Sequence, residues 1–232
     1  NDEVVWSGVL ASRTFPRRIR AAATELVSRK ALPKDSPLAF AMLCWHLDLV
    51  DADGNFDNRD HLRRLDPGFY RGPAYVHWTM TMHQRATGWL THAHHLALRE
   101  SLFHTMARYH VACPAYCLMP DHGHFLFIGL EARSDQLKAV ASFRREWNRL
   151  LGGLRLQKQA YDHVLRESDR ERDAFAAIVG YILRNPERQQ LVEDWKDWAY
   201  TGASFPGYPS LDPRSEFFWT NFWQAYLAQS TL

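Results

Sequence analysis

The sequence predicts an α+β fold, in which helices pack on an antiparallel β-sheet. Apolar and polar residues alternate from Tyr75 to Met82, which is the pattern of a half-buried strand. Two further strand-like segments, 113–119 and 122–128, are separated only by a short turn at Pro120 and Asp121. A connection this short joins antiparallel strands, because parallel strands need a much longer crossover.

Length and composition are those of one large domain with a smaller appendage. The chain has 232 residues, of which 46% are hydrophobic and 23% charged, which argues against disorder. No apolar run is long enough to span a membrane, and the first residues show no secretory pattern. The three cysteines suit a reducing compartment, and Cys113 and Cys117 are better interpreted as buried thiols than as zinc ligands. We therefore expect a cytoplasmic protein without a membrane partner.

Residues 1–71 are predicted to form a helical N-terminal extension whose role is unknown. Apolar residues recur at helical spacing after Pro16 and again after Pro37. The Asp-rich segment 51–57 resembles a calcium loop, but Phe56 and Leu62 stand where an EF-hand needs Gly and Glu. We interpret it as a turn-rich loop that precedes a main domain at residues 72–232.

Periodicity and capping residues predict three helices within residues 72–232. The first follows the His92 region, the second runs from Ser134 to the glycines at 152–153, and the third follows a capping box at 168–171. The third helix is expected to end soon after Asn185, because Pro186 follows. The aromatic-rich tail from Trp195 is interpreted as a segment that wraps the domain. The apolar faces are expected to contain Leu98, Leu102, Met106, Tyr109, Leu137, Val140, Ala141, Trp147, Leu151, Phe175, Ile178, Val179 and Ile182.

Two histidines occupy alternate positions of the third predicted strand. Residues i and i+2 of a strand point to the same face, so His122 and His124 can both reach one metal ion. Two histidines do not complete a metal site, and most isolated pairs with this spacing bind no metal. A second pair, His92 and His94, lies at a predicted helix start, where side chains two residues apart diverge by about 200°. We discount that second pair.

Tyr181 and Asn185 lie four residues apart on the third predicted helix and therefore share a face. Tyr181 is about 110° from the centre of the apolar stripe, so it is not an obvious core residue. Taken alone, it is best interpreted as a tyrosine at the core boundary. The side-chain oxygen of Asn185 could complete a metal site with the two histidines. Tyr161 is a rival nucleophile, but Leu165 stands at its i+4 position.

The second predicted helix is basic and carries interleaved aromatic residues. Its lysine and arginine side chains can contact DNA phosphates, although charges of this kind are more often a solvated helix face. Trp147 on the same helix is better explained as a core residue than as a platform for base stacking. Charge alone therefore leaves DNA binding open.

Three segments resemble motifs of the REP-associated tyrosine transposases, which are single-tyrosine members of the HUH endonuclease superfamily. Residues 116–127 (YCLMPDHGHFLF) are similar to the family's two-histidine strand motif, and residues 156–166 (LQKQAYDHVLR) to its second motif. Residues 181–186 (YILRNP) are similar to its tyrosine helix, and residues 198–209 resemble its C-terminal region. The resemblance covers roughly residues 74–232 and leaves out residues 1–71.

The resemblance implies an HUH, ferredoxin-like α+β fold and metal-dependent cleavage of single-stranded DNA near hairpins. His122, His124 and Asn185 would bind Mg²⁺ or Mn²⁺, and Tyr181 would attack the DNA to form a 5′-phosphotyrosine. It further implies a nucleoid-associated protein that acts on palindromic hairpins as a monomer or homodimer. The residues expected to contact DNA, from the charge pattern and the second motif, are Lys138, Arg144, Arg145, Arg149, His163 and Arg166.

Two other functions stay open. Gly123 stands where the family usually has a bulky apolar residue, which motivates the alternative of a hairpin-binding protein that does not cut DNA. A metal-dependent hydrolase that uses water as the nucleophile is the third possibility. Replacing Tyr181 by Phe separates the three, since the transesterase loses cleavage, the binding protein has none to lose, and the hydrolase keeps it.

Overall fold

The computed structural model describes residues 64–165 and 172–230. These residues form a five-stranded antiparallel sheet with helices packed on it, which confirms the predicted α+β class. The sheet has the strand order β4-β1-β3-β2-β5. The elements are β1 (Tyr75–Thr81), α1 (His92–Tyr109), β2 (Val111–Met119), β3 (His122–Gly129), α2 (Gln136–Leu150), β4 (Tyr161–Val164), α3 (Arg172–Leu183), α4 (Asn185–Arg188), β5 (Thr201–Ser204) and α5 (Phe218–Ser230).

One face of the sheet forms an aromatic core beneath α1 and α2. Trp78 on β1 is paired with Phe125 on β3, and both side chains are fully or almost fully buried. The rings of Phe143 and Trp147 on α2 lie 5.3 and 5.7 Å from the ring of Phe125. Trp147 is therefore a core residue, as the sequence indicated. Cys113 and Cys117 are also fully buried, which confirms the interpretation of buried thiols.

The opposite face of the sheet carries polar side chains and is partly covered by α3. Because side chains alternate along a strand, the residues next to Trp78 and Phe125 point away from α2. These neighbours include Thr79 on β1 and His124 on β3, which are register partners. Helix α3 packs over β2 and β3. The predicted apolar stripe of α3, at Phe175, Ile178, Val179 and Ile182, is buried.

Two helix boundaries differ from the prediction. The Asp135 side chain caps α2 by accepting a hydrogen bond from the Lys138 amide, whereas the Ser134 hydroxyl donates to the carbonyl of His110. Ala141, predicted to face inward, is exposed. Helix α3 ends at Leu183, and the chain resumes as α4 through Pro186. Proline fits there because the first turn of a helix leaves its amide hydrogens unpaired.

The segments before β1 and after α4 contact opposite edges of the sheet. The tail from Trp195 supplies the edge strand β5, which pairs with β2, and the helix α5. At the other edge, Asp162 on β4 accepts hydrogen bonds from Arg64 Nε (3.1 Å) and the Tyr70 hydroxyl (2.5 Å).

Several sequence predictions fall outside the described part of the chain. They are the N-terminal extension up to residue 63, the Asp-rich loop, the capping box at 168–171 and Arg166. Within the described residues, no helix is both long and apolar enough to cross a membrane.

Candidate active site

The two histidines of β3 converge on one point. The Nε2 atoms of His122 and His124 lie 3.1 Å apart, and the two ring planes are perpendicular. His124 is completely buried, while the His122 side chain keeps some solvent contact. The strand alternation that suggested a shared face therefore brings both imidazoles together at the edge of the buried region.

Each imidazole is oriented through its other nitrogen. His122 Nδ1 lies 2.6 Å from Oδ1 of Asp121, and Oδ2 of Asp121 lies 3.1 Å from Nη1 of Arg85. His124 Nδ1 lies 3.1 Å from the Thr79 hydroxyl and 3.2 Å from His77 Nε2, both on the neighbouring strand β1. The Asp121 carboxylate can only accept a hydrogen bond, so it favours the proton of His122 on Nδ1 and leaves its Nε2 lone pair available as a ligand.

The convergence of the two Nε2 atoms suits a bound cation. Burial lowers the pKa of His124 well below its usual value, so its imidazole is neutral at ordinary pH. Two imidazole nitrogens this close need a proton or a metal ion between them, because their lone pairs would otherwise repel each other. His122 and His124 would be the residues that hold such an ion, since imidazole nitrogens are common metal ligands.

Further acidic or histidine ligands for such an ion are not found among the described residues. Within residues 64–165 and 172–230, no group of three His, Cys, Asp or Glu side chains has metal-binding geometry. The third ligand predicted from the sequence, Asn185, is buried at the start of α4. Its Nδ2 donates to the carbonyls of Tyr181 (3.0 Å) and Ile182 (3.2 Å), so Oδ1 is the atom not used in these bonds.

Tyr181 packs against His124 and His77. Its ring centroid is 6.1 Å from that of His124 and 6.2 Å from that of His77, with edge-to-face geometry in both contacts. The ring is half-buried, and burial raises the pKa of Tyr181 to about 12, an effect that the nearby charge of Arg188 opposes. Tyr181 is therefore a protonated phenol at neutral pH, placed next to the pair of nitrogen ligands.

The rival tyrosine is farther from the histidines. Tyr161 begins β4 and is the register partner of Thr79 on β1. Strand β1 therefore lies between Tyr161 and the histidines of β3. Adjacent strands are about 4.8 Å apart, so Tyr161 starts about 10 Å from the His pair across the sheet.

Gly123, between the two histidines, faces the other side of the sheet. A Cβ atom built there would lie 2.9 Å from the Phe125 ring, 3.0 Å from the Trp147 ring and 3.1 Å from Leu118. The space that a side chain would need is already filled by the core under α2. The absence of a side chain at this position therefore does not open the histidine site.

The side chains predicted to contact DNA fall into two groups. His163 on β4 is the register partner of His77, which places it on the face of the sheet that carries the histidine pair. Helix α2 covers the opposite face. Arg144 is half-buried there and donates to the Gln157 carbonyl. The exposed side chains of α2 pair locally with acidic residues, as in Lys138 with Asp135 (3.5 Å), Arg149 with Glu146 (2.9 Å) and Arg145 with Glu146 (4.0 Å).

Four residues of the site were not singled out from the sequence. His77 and Thr79 orient His124, Arg85 anchors Asp121, and Arg188 stacks on Tyr181 with its Cζ 4.4 Å from the ring centroid. The alternation of β1 does place His77 and Thr79 on one polar face, which is the only local signal that points to them. Their contact with His124 depends on strand pairing between distant segments.

Comparison with known proteins gives a match among solved structures but none among protein families or curated proteins. No protein-family model and no curated protein matches the sequence. Among solved structures, a REP-associated tyrosine transposase bound to a REP hairpin matches with a TM-score of 0.51 and 19% sequence identity. The match covers 61% of this chain and 81% of that one. At this identity it supports a distant structural relationship and the same α+β fold.

Proposed function

We propose that this chain is a metal-dependent transesterase that cleaves single-stranded DNA near hairpins through a covalent bond to Tyr181. The observation that carries the proposal is the convergence of His122 Nε2 and His124 Nε2 beside the Tyr181 ring. The fold of the matched solved structure adds support, because that protein is a tyrosine transposase bound to a hairpin. The proposed metal is Mg²⁺ or Mn²⁺, held by the two histidines and Oδ1 of Asn185.

The proposed reaction joins Tyr181 to the 5′ phosphate of the cut strand. A divalent cation in the site would draw charge from the phosphate oxygens and make the phosphorus more electrophilic. Tyr181 Oη forms a bond to phosphorus while the bond from phosphorus to the 3′ oxygen breaks. The phenolic proton leaves to water, and the departing 3′ oxygen takes a proton from water. The 5′ phosphate stays on Tyr181, so the bond can be passed to another 3′ hydroxyl.

The environment of Tyr181 decides when it reacts. Because burial keeps the phenol protonated at neutral pH, the proton has to leave as the bond to phosphorus forms. The positive charge of Arg188 on the ring favours the phenolate. A phosphate bound without a metal ion would place additional negative charge beside Tyr181 and disfavour the phenolate. Cleavage therefore depends on the presence of the metal.

The geometry also suggests how DNA meets the protein. A strand that reaches Tyr181 lies on the face of His77 and His163, and we assign the single-stranded segment to that face. Helix α2 lies on the opposite face, so its exposed basic side chains, including Lys138 and Arg149, can contact only a separate part of the substrate. The hairpin stem is the obvious candidate for that part.

The test uses labelled single-stranded hairpin DNA incubated with the full chain and Mn²⁺, followed by a denaturing protein gel. The proposal predicts a labelled covalent adduct that disappears with EDTA and with Tyr181→Phe. Tyr161→Phe is the matched control and keeps the adduct. Cleavage at the wild-type rate by Tyr181→Phe would instead identify a hydrolase. Hairpin binding without any adduct from the wild-type protein would identify a binding protein that does not cut.

A further inference from the structure

One guanidinium nitrogen of Arg188 has no hydrogen-bond acceptor among the described residues. Its guanidinium lies on the Tyr181 ring, with Cζ 4.4 Å from the ring centroid. Its Nη1 atom is buried, and among the residues that the structure describes it has no hydrogen-bond partner. Buried polar atoms almost always have a partner, and a charged donor without one is especially costly. Such an atom calls for an acceptor that the described residues do not supply.

Within the described part of the chain, Arg188 also forms no ion pair with a carboxylate. The neighbouring Glu187 is engaged elsewhere, since its Oε1 accepts from the Trp195 amide at 2.8 Å and its Oε2 lies 3.7 Å from Arg184. Asp121 is shared by His122 and Arg85. Among the described residues, these two carboxylates are therefore already engaged with other partners.

We infer that Arg188 binds a non-bridging oxygen of the DNA phosphate that Tyr181 attacks. The inference rests on the proposed function and adds to it a phosphate-binding residue that the metal site does not include. An arginine suits the task because its planar donors match phosphate oxygens and its face stacks on an aromatic ring. Arg188 is half-buried, so part of its side chain is open to a strand lying on Tyr181.

This assignment explains the contact between Arg188 and Tyr181. A phosphate held by Nη1 lies within reach of the phenol that stacks under the same guanidinium. The arginine therefore positions the phosphate relative to the nucleophile and neutralises part of the negative charge on the phosphate. Both effects favour attack. Arg188 lies beyond Pro186, so the helical continuation of the chain in α4 is what places it there.

The experiment measures binding of the full chain to single-stranded poly-dT in EDTA, across a range of salt concentrations. Each phosphate contact to a single strand contributes about 0.7 to the slope of log affinity against log salt. We expect Arg188→Ala to lower the slope by about 0.7 and the affinity by about tenfold. We expect Arg188→Lys to keep the slope, since it keeps the charge, and to slow adduct formation with hairpin DNA and Mn²⁺.

Arg99→Ala is the matched control. Arg99 also stacks on an aromatic ring, with Cζ 5.2 Å from the Phe103 centroid, but it donates to the Pro209 carbonyl at 2.8 Å on the far side of the sheet. It should keep both slope and affinity. The inference is overturned if Arg188→Ala binds poly-dT like the wild type, or if Arg99→Ala loses as much. A thermal melt shows whether each variant is folded. Should Arg188→Ala unfold, Arg188→Gln decides the matter, because it removes the charge, keeps most of the side chain and should lower the slope by the same amount.

The poly-dT binding assay tests the role of Arg188, and the covalent-adduct assay tests the proposed function, so the two hypotheses can be refuted separately. The assay needs no cleavage, so a wild-type protein that forms no adduct would refute the transesterase while a reduced slope for Arg188→Ala would still support phosphate binding. A wild-type protein that forms the adduct, with an unchanged slope for Arg188→Ala, would refute the phosphate-binding role alone.

Discussion

Replacing Gly123 by alanine tests whether the absent side chain belongs to the histidine site or to the core on the other face. The added Cβ would lie 2.9 Å from the Phe125 ring and 3.0 Å from the Trp147 ring. Carbon atoms in good contact are about 3.5–4.0 Å apart, so each aromatic ring would have to move by about 0.5–1 Å. Both rings are buried and rigid, and a third contact, 3.1 Å to Leu118, closes the space further.

Two opposing effects set the size of the change. Overpacking a filled core costs about 1–3 kcal/mol. Replacing glycine by alanine also restricts the unfolded chain, which stabilises the fold by about 0.4–1 kcal/mol. We therefore expect a net loss of about 1–2 kcal/mol, which for a chain of this size lowers Tm by about 2–8 °C. Because the new methyl group points away from the histidines, the affinity for Mn²⁺ should stay within a few-fold of the wild-type value.

Equilibrium urea unfolding and Mn²⁺ titration measure the two quantities. Gly180→Ala is the matched control, since Gly180 lies within α3 and a Cβ there meets nothing within 4 Å among the described residues. That variant should gain about 0.5–1 kcal/mol, the helix preference of alanine over glycine. A Gly123→Ala protein that is as stable as the wild type and binds Mn²⁺ more tightly would refute this reasoning. It would show that the glycine loosens the metal site.

Two further predictions concern the groups around the histidines and the core. Asp121→Asn removes the carboxylate that orients His122, so Mn²⁺ affinity measured by calorimetry should fall about 10- to 100-fold with little change in Tm; unchanged affinity would contradict the role of Asp121. His95 lies 2.9 Å from the Tyr116 hydroxyl, and burial, with a smaller contribution from Arg99, lowers its pKa to about 4. Since the unfolded chain takes up a proton below about pH 6.5 and the folded His95 only near pH 4, stability should fall by up to about 3 kcal/mol as pH drops through that window. Urea unfolding at several pH values should show that His95→Gln loses this part of the pH dependence, and an identical pH profile would contradict it.

Local patterns carried much of the fold and part of the site. Strand alternation put His122 and His124 on one face, and the structure brings their Nε2 atoms to 3.1 Å. Helical spacing separated Tyr181 from the apolar stripe of α3, and its ring lies against His124. These inferences work because the side-chain direction within one element depends only on position along that element.

The groups that orient the site could not be found in the same way. Thr79 and His77 reach His124 because β1 pairs with β3, and a pairing between segments so far apart in sequence leaves no local pattern. Arg188 reaches Tyr181 because the chain turns at Arg184 and stays helical through Pro186, where the sequence indicated a stop.

The charges of the basic helix α2 did not predict which face of the sheet it covers. Its charges were visible in the sequence, but the face of the sheet that it covers depends on where Phe143 and Trp147 pack. That packing puts α2 on the side away from His124. Charge patterns thus identified basic residues without showing which of them could lie near Tyr181.

The most direct test of the central claim is to locate the DNA on the protein by mass spectrometry. The full chain reacts with hairpin DNA and Mn²⁺, the DNA is trimmed with nuclease, and the protein is digested with trypsin. The proposed covalent bond to Tyr181 predicts a 5′-phosphonucleotide on the peptide 173–184, attached to Tyr181. Attachment to the peptide 159–166, which contains Tyr161, would contradict it, as would DNA cut to completion by a protein that carries no nucleotide on any tyrosine.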